Sequence, residues 1–212
     1  MRFAELAPGR DLALTAALTA TLLALTLVVA LGPDPLPGEV ASIRTLQSRS
    51  GWARDSADLI RRVTGTGGAI VAIALVSPFL LSRYRWRALT PLAIALVTVL
   101  VIQPAFKELI DRARPSETQV EVLAVWTSKA YPSGHAIGTT IVAAYLTWLG
   151  RRHWPHSWVP FIPLLLIPAT VLSSLVQGVH WPSDLLGGML VGGLAAWLMA
   201  RTTPAGSVSS RS

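Results

Sequence analysis

Ala88–Pro115 reads ALTPLAIALVTVLVIQPAFKELIDRARP. Its first nineteen residues, 88–106, carry no charge, and five charged residues then follow within eight positions. Nineteen helical residues at ~1.5 Å each reach nearly the ~30 Å of a bilayer's hydrocarbon core. The stretch therefore predicts a transmembrane helix that delivers Lys107, Arg112, Arg114 and Pro115 to one membrane face. Two further polar segments sit at the ends of apolar stretches in the same way: Pro132-Ser133-Gly134-His135 and His180-Trp181-Pro182-Ser183-Asp184.

The rest of the chain agrees with a membrane setting. Of 212 residues 52% are hydrophobic and 14% charged, with a mean hydropathy of +0.53. A soluble domain carries about 25% charged residues. The class is an all-α polytopic membrane protein of six transmembrane helices, with spans expected at 12–31, 63–82, 88–106, 136–150, 157–177 and 184–200. The fourth and sixth are short, which a site sunk slightly into the membrane explains. The first span lacks a small-residue cleavage site before Gly32-Pro33 and reads as a retained anchor. Pro78, Pro91, Pro163 and Pro168 fall inside spans, where neighbouring groups can satisfy the freed carbonyls. Residues 1–201 form one membrane-embedded domain, and 202–212 read as a disordered tail. Within 36–66, Val40, Ile43, Leu46, Trp52, Leu59 and Ile60 suggest a short amphipathic helix lying on headgroups, with a packed loop helix as the equal alternative. There is no cysteine, hence no disulfide and no thiolate metal site.

A net charge of +7 and a pI near 11.0 raise nucleic-acid binding, but the basic residues lie in short loops, as membrane topology requires. With the N-terminus inside, inner segments hold nine basic residues against two acids, Glu5 and Asp11, and outer segments hold nine of each sign. Basic residues alone tie. The very short loop Arg83–Arg87, supported by Arg151-Arg152, decides the orientation: both termini are cytoplasmic, and all three polar motifs lie on the extracytoplasmic face.

The residue types in those motifs suit phosphate chemistry. Lys107 and Arg114 are seven apart, two helical turns on one face, and combine a point charge with a bidentate fork. Snorkelling at the interface is their ordinary explanation. Ser133, Gly134 and His135 open a helix whose free N–H groups favour an anion, although Ser and Gly there are also common caps. His180 and Asp184 are four apart; the carboxylate can cap the helix or accept the proton of one imidazole nitrogen and free the other to attack. His153 and His156 flank the inner arginine pair and are read as interfacial.

Together these residues resemble the type-2 phosphatidic acid phosphatase superfamily, the integral-membrane lipid phosphate phosphatases related to the vanadium haloperoxidases. The family pattern K-x6-RP, PSGH, SR-x5-H-x3-D is matched by Lys107 to Arg114-Pro115, by Pro132 to His135, and by Ser173-Ser174 through His180 to Asp184. The resemblance implies metal-independent, cofactor-free hydrolysis of a lipid phosphate or diphosphate. His180 would form a phosphohistidine, Asp184 would orient it, and His135 would protonate the leaving oxygen and then activate water. Lys107, Arg114, Ser133 and Gly134 would bind the phosphoryl oxygens. Polyprenyl diphosphate, phosphatidylglycerol phosphate and phosphatidic acid are candidate substrates, the bilayer is the working environment, and no nucleic acid takes part. Nothing in the sequence specifies an oligomeric state.

One position departs from the pattern: Ser174 stands where the family has a phosphate-contacting arginine. Losing such a contact costs about 2–4 kcal/mol of transition-state stabilisation, or ~30- to 1000-fold in rate. Three explanations stand open: Ser174 donates a weaker hydrogen bond, Arg112 or Lys129 supplies the charge from elsewhere, or the protein is slow, tuned to an unusual substrate or catalytically lapsed. The departure also motivates two rival readings: a non-catalytic phospholipid-binding protein, and a phosphotransferase passing its phosphoryl group to an acceptor other than water. A transporter would need a matched pair of broken helices, which the sequence lacks.

Overall fold

A computed structural model describes residues 8–49 and 54–204, and every regular element among them is helical. The helices are α1 (Pro8–Leu31), α2 (Glu39–Arg49), α3 (Arg54–Thr64), α4 (Thr66–Tyr84), α5 (Leu89–Val97), α6 (Gln103–Ile110), α7 (Gly134–His153), α8 (Leu166–Val176) and α9 (Pro182–Thr202). Four helical runs are long and apolar enough to cross a membrane: Gly9–Leu31, Thr66–Ile110, Val159–Val176 and Pro182–Thr202.

The 45-residue run Thr66–Ile110 would extend about 70 Å if straight, more than twice the bilayer core. It folds back instead. Arg85 takes a positive φ of 55° and opens a single 3₁₀ turn, Arg85–Ala88. As a result Gly65, before α4, and Gln103, at the start of α6, both meet the start of α7: ideal Cβ positions on Gly65 and Gly134 fall 3.0 Å from His135 Nε2 and 2.2 Å from Gln103 Nε2. The returning leg passes through a π-helical segment, Thr98–Ile102. Pro104 follows it and has no N–H to give to the helix ladder, a common origin of such a widening.

α7 is the central helix. It is the least apolar of the long helices because Thr139, Thr140, Thr147 and several small residues are buried in it. Ile137, Ile141 and Tyr145 pack against Leu80, Leu92 and Val99 on one side and Val191, Ala195 and Met199 of α9 on the other. α7 and α9 start at the same end and run side by side. Gly188 and Gly192 permit their close approach, since a Cβ at either would lie 2.6 Å from a carbonyl oxygen, that of Ser133 or Ile137. Gly188→Leu is therefore expected to push α9 from α7 and cost about 1–3 kcal/mol, read as a lowered melting temperature in detergent. α1 lies against α9 through Trp197 Nε1 to Thr15 Oγ1 (3.0 Å) and an Arg201–Asp11 ion pair. Leu23, Leu27, Val71, Leu75, Leu100, Val101 and Leu172 are exposed around the outside, where lipid tails would lie.

Several expectations change. α7 and α9 are 20 and 21 residues long and begin two residues before the spans expected at 136–150 and 184–200, with the polar motifs in their first turns. Among the described residues, segment 36–66 holds two helices, α2 and α3, rather than one. Ile43 of α2 is fully buried with Val120, Ala130 and Trp181, which makes α2 a packed loop helix. α3 turns Ala57, Arg61 and Thr64 inward and Leu59 and Val63 outward. The expected tail is helical at Thr202, and Thr203 is buried with its hydroxyl 2.8 Å from Tyr145 Oη. Arg2, Glu5, Trp52, Arg211 and tail residues 205–212 lie outside the described residues.

Candidate active site

α6 ends at Ile110 because Asp111 adopts the left-handed conformation (φ 52°, ψ 31°) and donates its N–H to the Lys107 carbonyl. Arg114 therefore sits in the following loop, and the expected two-turn helical face shared with Lys107 does not exist. Loop 128–129 brings them together instead. Lys107 Nζ donates to the Lys129 carbonyl. Arg114 Nε donates to the Ser128 carbonyl at 2.6 Å and Nη2 to Ser128 Oγ at 3.0 Å. Lys107 is buried and Arg114 half-buried.

Ser133 caps α7, its Oγ accepting from Ala136 N at 3.4 Å, while its own N–H donates to the Asp184 carbonyl at 3.0 Å. Gly134 lets Gln103 lie close, since a Cβ there would fall 2.2 Å from Gln103 Nε2 and oblige that amide to move. His135 is buried, edge-on to Trp126 with ring centres 5.6 Å apart. The guanidinium of Arg114 lies 5.9 Å from the same Trp126 ring.

At α9, Pro182 occupies the first turn and fits there because that turn needs no donor from it. Asp184 faces both groups that the sequence offers it, the first turn of α9 and the His180 ring. Its Oδ2 accepts from Trp181 N at 2.8 Å and lies 3.4 Å from His180 Nδ1. His180 Nε2 faces Arg114 Nη1 at 3.2 Å. Burial, then Arg114, Arg61 and Lys107, push His180 well below its usual pKa, so the imidazole is neutral. A neutral imidazole among cations can both admit a phosphate and attack it.

Arg112, not assigned a fixed role from sequence, is the hub beneath this site. Its guanidinium reaches Asp184 Oδ1 (2.6 Å), Glu39 Oε2 (2.5 Å), Ser183 Oγ (2.6 Å) and Asp34 Oδ1 (3.2 Å). Burial opposes its charge, but Asp184 and Glu39 outweigh it and raise its pKa. Arg112 is thus not available to replace the arginine absent at 174. Lys129 is not either, being paired at the surface with Asp111. The guanidinium that reaches Ser174 is that of Arg61, Nη1 donating to Ser174 Oγ at 2.7 Å. His153 and His156 lie exposed at the opposite end of α7 and take no part. Glu39, Arg61 and Trp126 belong to no motif, and no spacing in the sequence points to them.

The model of the PAP2 superfamily matches residues 88–206, more than half of the chain. The chain belongs to the PAP2 superfamily. Among its PAP2 relatives, decaprenylphosphoryl-5-phosphoribose phosphatase of Mycobacterium tuberculosis is 33% identical over 121 residues, covering 57% of this chain and 63% of that protein. Lipid A 4'-phosphatase of Bacteroides thetaiotaomicron is 23% identical over 132 residues, covering 56% and 57%. The chain spans less than two thirds of the length of these curated relatives. A crystal structure of a transmembrane PAP2-type phosphatidylglycerolphosphate phosphatase from Bacillus subtilis shares the fold, with a TM-score of 0.71 and 19% identity, covering 87% of this chain and 93% of that one. The PAP2 match begins at Ala88, so α1–α4, with Glu39 and Arg61, lie outside it.

Proposed function

We propose that this protein hydrolyses a lipid phosphate or diphosphate through a phosphohistidine on His180. The observation that carries the reading is the placement of His180, with Nδ1 toward Asp184 and Nε2 toward Arg114, in a buried cluster with Lys107 and His135 near the start of α7. Asp184, fixed by Arg112 and the Trp181 N–H, holds the imidazole so that Nε2 attacks phosphorus while Nδ1 keeps its proton. Lys107, Arg114, Ser133 and the first-turn N–H groups at Gly134 neutralise the phosphoryl oxygens as charge grows. His135 gives a proton to the leaving oxygen and then takes one from water, which releases phosphate from His180. No metal ion or other cofactor is assigned to either step.

The relatives' names support a lipid-borne phosphate: decaprenylphosphoryl-5-phosphoribose, lipid A and phosphatidylglycerol phosphate. A polyprenyl-linked phosphate ranks first, with phosphatidylglycerol phosphate and phosphatidic acid behind it. The test is phosphate release by the full-length protein in detergent with EDTA across that panel. Release from at least one lipid phosphate is expected; phosphate bound but released from none would favour the binding-protein reading.

The six crossings are α1, α4, the returning leg 88–106, α7, the leg 157–177 and α9. Arg83, Arg85, Arg87, Arg151, Arg152 and Arg201 gather at the end opposite the site, with exposed Trp86, Trp154 and Trp158 beside them. This pattern supports a cytoplasmic location for that end and for both termini, and an extracytoplasmic site. A phosphatase reporter fused after Ser212 is expected to be silent; activity there would reverse the orientation.

A further inference from the structure

The described residues place three cations around His180 without a carboxylate partner of their own: Lys107, Arg114 and Arg61. Lys107 and Arg114 spend donors on backbone carbonyls. Arg61 spends only Nη1. Its Nε and Nη2 are buried and have no hydrogen-bond partner, and the residue is 4% exposed. An unsatisfied buried guanidinium edge is costly and calls for a ligand.

The surroundings define where that edge lies. The Arg61 guanidinium is 5.4 Å from the Trp126 ring centre, and Trp126 also contacts Arg114 and His135. Backbone at Arg61 and Gly65 lies against His135: the ideal Cβ of Gly65 is 3.0 Å from His135 Nε2 and 3.4 Å from the Arg61 carbonyl. Ser174, fully buried, gives its hydroxyl proton to the Thr170 carbonyl at 2.7 Å, so its lone pair faces Arg61 and anchors Nη1. Burial, and then the charge of Arg114, lower the Arg61 pKa to about 10. A buried and a half-buried guanidinium that repel one another are poised for a shared anion.

We propose that Arg61 is a phosphate-binding residue of this site, its Nε and Nη2 forming a side-on fork for two phosphoryl oxygens. The inference rests on the phosphatase reading for the nature of the ligand. It accounts for Ser174: the guanidinium that the family pattern carries on α8 enters here from α3, and a small hydroxyl at 174 makes room for it and holds it. A second arginine at 174 would place two guanidiniums on one buried spot. An open cavity of about 470 Å³ beside Arg44, Arg54 and Glu121 is a weaker anion site, because Glu121 already binds Arg54 bidentately and Arg44 donates to the Gln119 carbonyl.

The test is calorimetric titration of the full-length protein in detergent with inorganic phosphate, alongside melting curves and lipid-phosphate turnover. Arg61→Gln is expected to melt near the wild type and bind phosphate about 10- to 100-fold more weakly, with Arg61→Lys in between. Ser174→Arg alone is expected to lower the melting temperature, and Arg61→Ser combined with Ser174→Arg to bind phosphate better than Arg61→Gln. Wild-type affinity in Arg61→Gln overturns the proposal, as does a wild-type protein that binds no phosphate. Loss of binding in Arg61→Gln with no lipid turnover by the wild type upholds it and overturns the hydrolase reading. Turnover with unchanged binding in Arg61→Gln does the reverse.

Discussion

His180→Ala is expected to abolish phosphate release, lowering kcat by about 10⁴-fold or more while leaving phosphate affinity within a few-fold of wild type. The two readouts separate because the imidazole forms the bond to phosphorus, whereas Lys107, Arg61 and Arg114 hold the charge. The ring removed is neutral, first because it is buried and then because of these cations, so its loss leaves no buried charge without a counter-ion. A variant that hydrolyses lipid phosphate at a tenth of the native rate would place the attacking group elsewhere. His135→Ala is expected to retain more activity, since water and solvent protons can substitute slowly for a general acid.

Arg112→Met should carry the largest stability loss in the molecule, about 3–5 kcal/mol. Arg112 is 4% exposed, and its removal would leave Asp184 and Glu39, at 0% and 6%, without the positive charge that neutralises them. It would also remove the Arg112 bonds to Ser183 Oγ and Glu39 Oε2, leaving α2 tied to the start of α9 only through Glu39 Oε1, which accepts from Ser183 N and Oγ. Glu39→Gln keeps most hydrogen-bonding atoms and is expected to lose less. Thermal unfolding in detergent reads both. Melting of Arg112→Met at the native temperature would show that the hub is not structural.

The parts of this molecule that were legible in the sequence are those with local signals. The apolar run 88–106 and the polar turns at 107–115, 132–135 and 180–184 announce helices ending at one face, and the structure brings the three turns into contact. Local reasoning failed where a single backbone conformation intervened. Asp111 in the left-handed region ends α6 before Arg114, and a spacing of seven no longer meant a shared face. The helix starts were legible too: Ser133 opens α7 as its cap and Pro182 lies in the first turn of α9, as their residue types suggest. What stayed hidden is non-local. Arg112 and Glu39 are 73 residues apart, Arg61 and Ser174 113 apart, and neither pair leaves a periodic trace. The missing arginine at 174 was visible as a gap; its replacement required the packing of α3 against α8.

The central claim is a covalent phosphoryl group on His180. The direct measurement is rapid alkaline quenching of the native protein during turnover of ³²P-labelled lipid phosphate, followed by peptide mapping. The expected result is phosphohistidine at His180, bonded through Nε2, the nitrogen that faces Arg114. Label on His135 or another residue, or full-rate product formation with no protein-bound label at any quench time, would contradict the account.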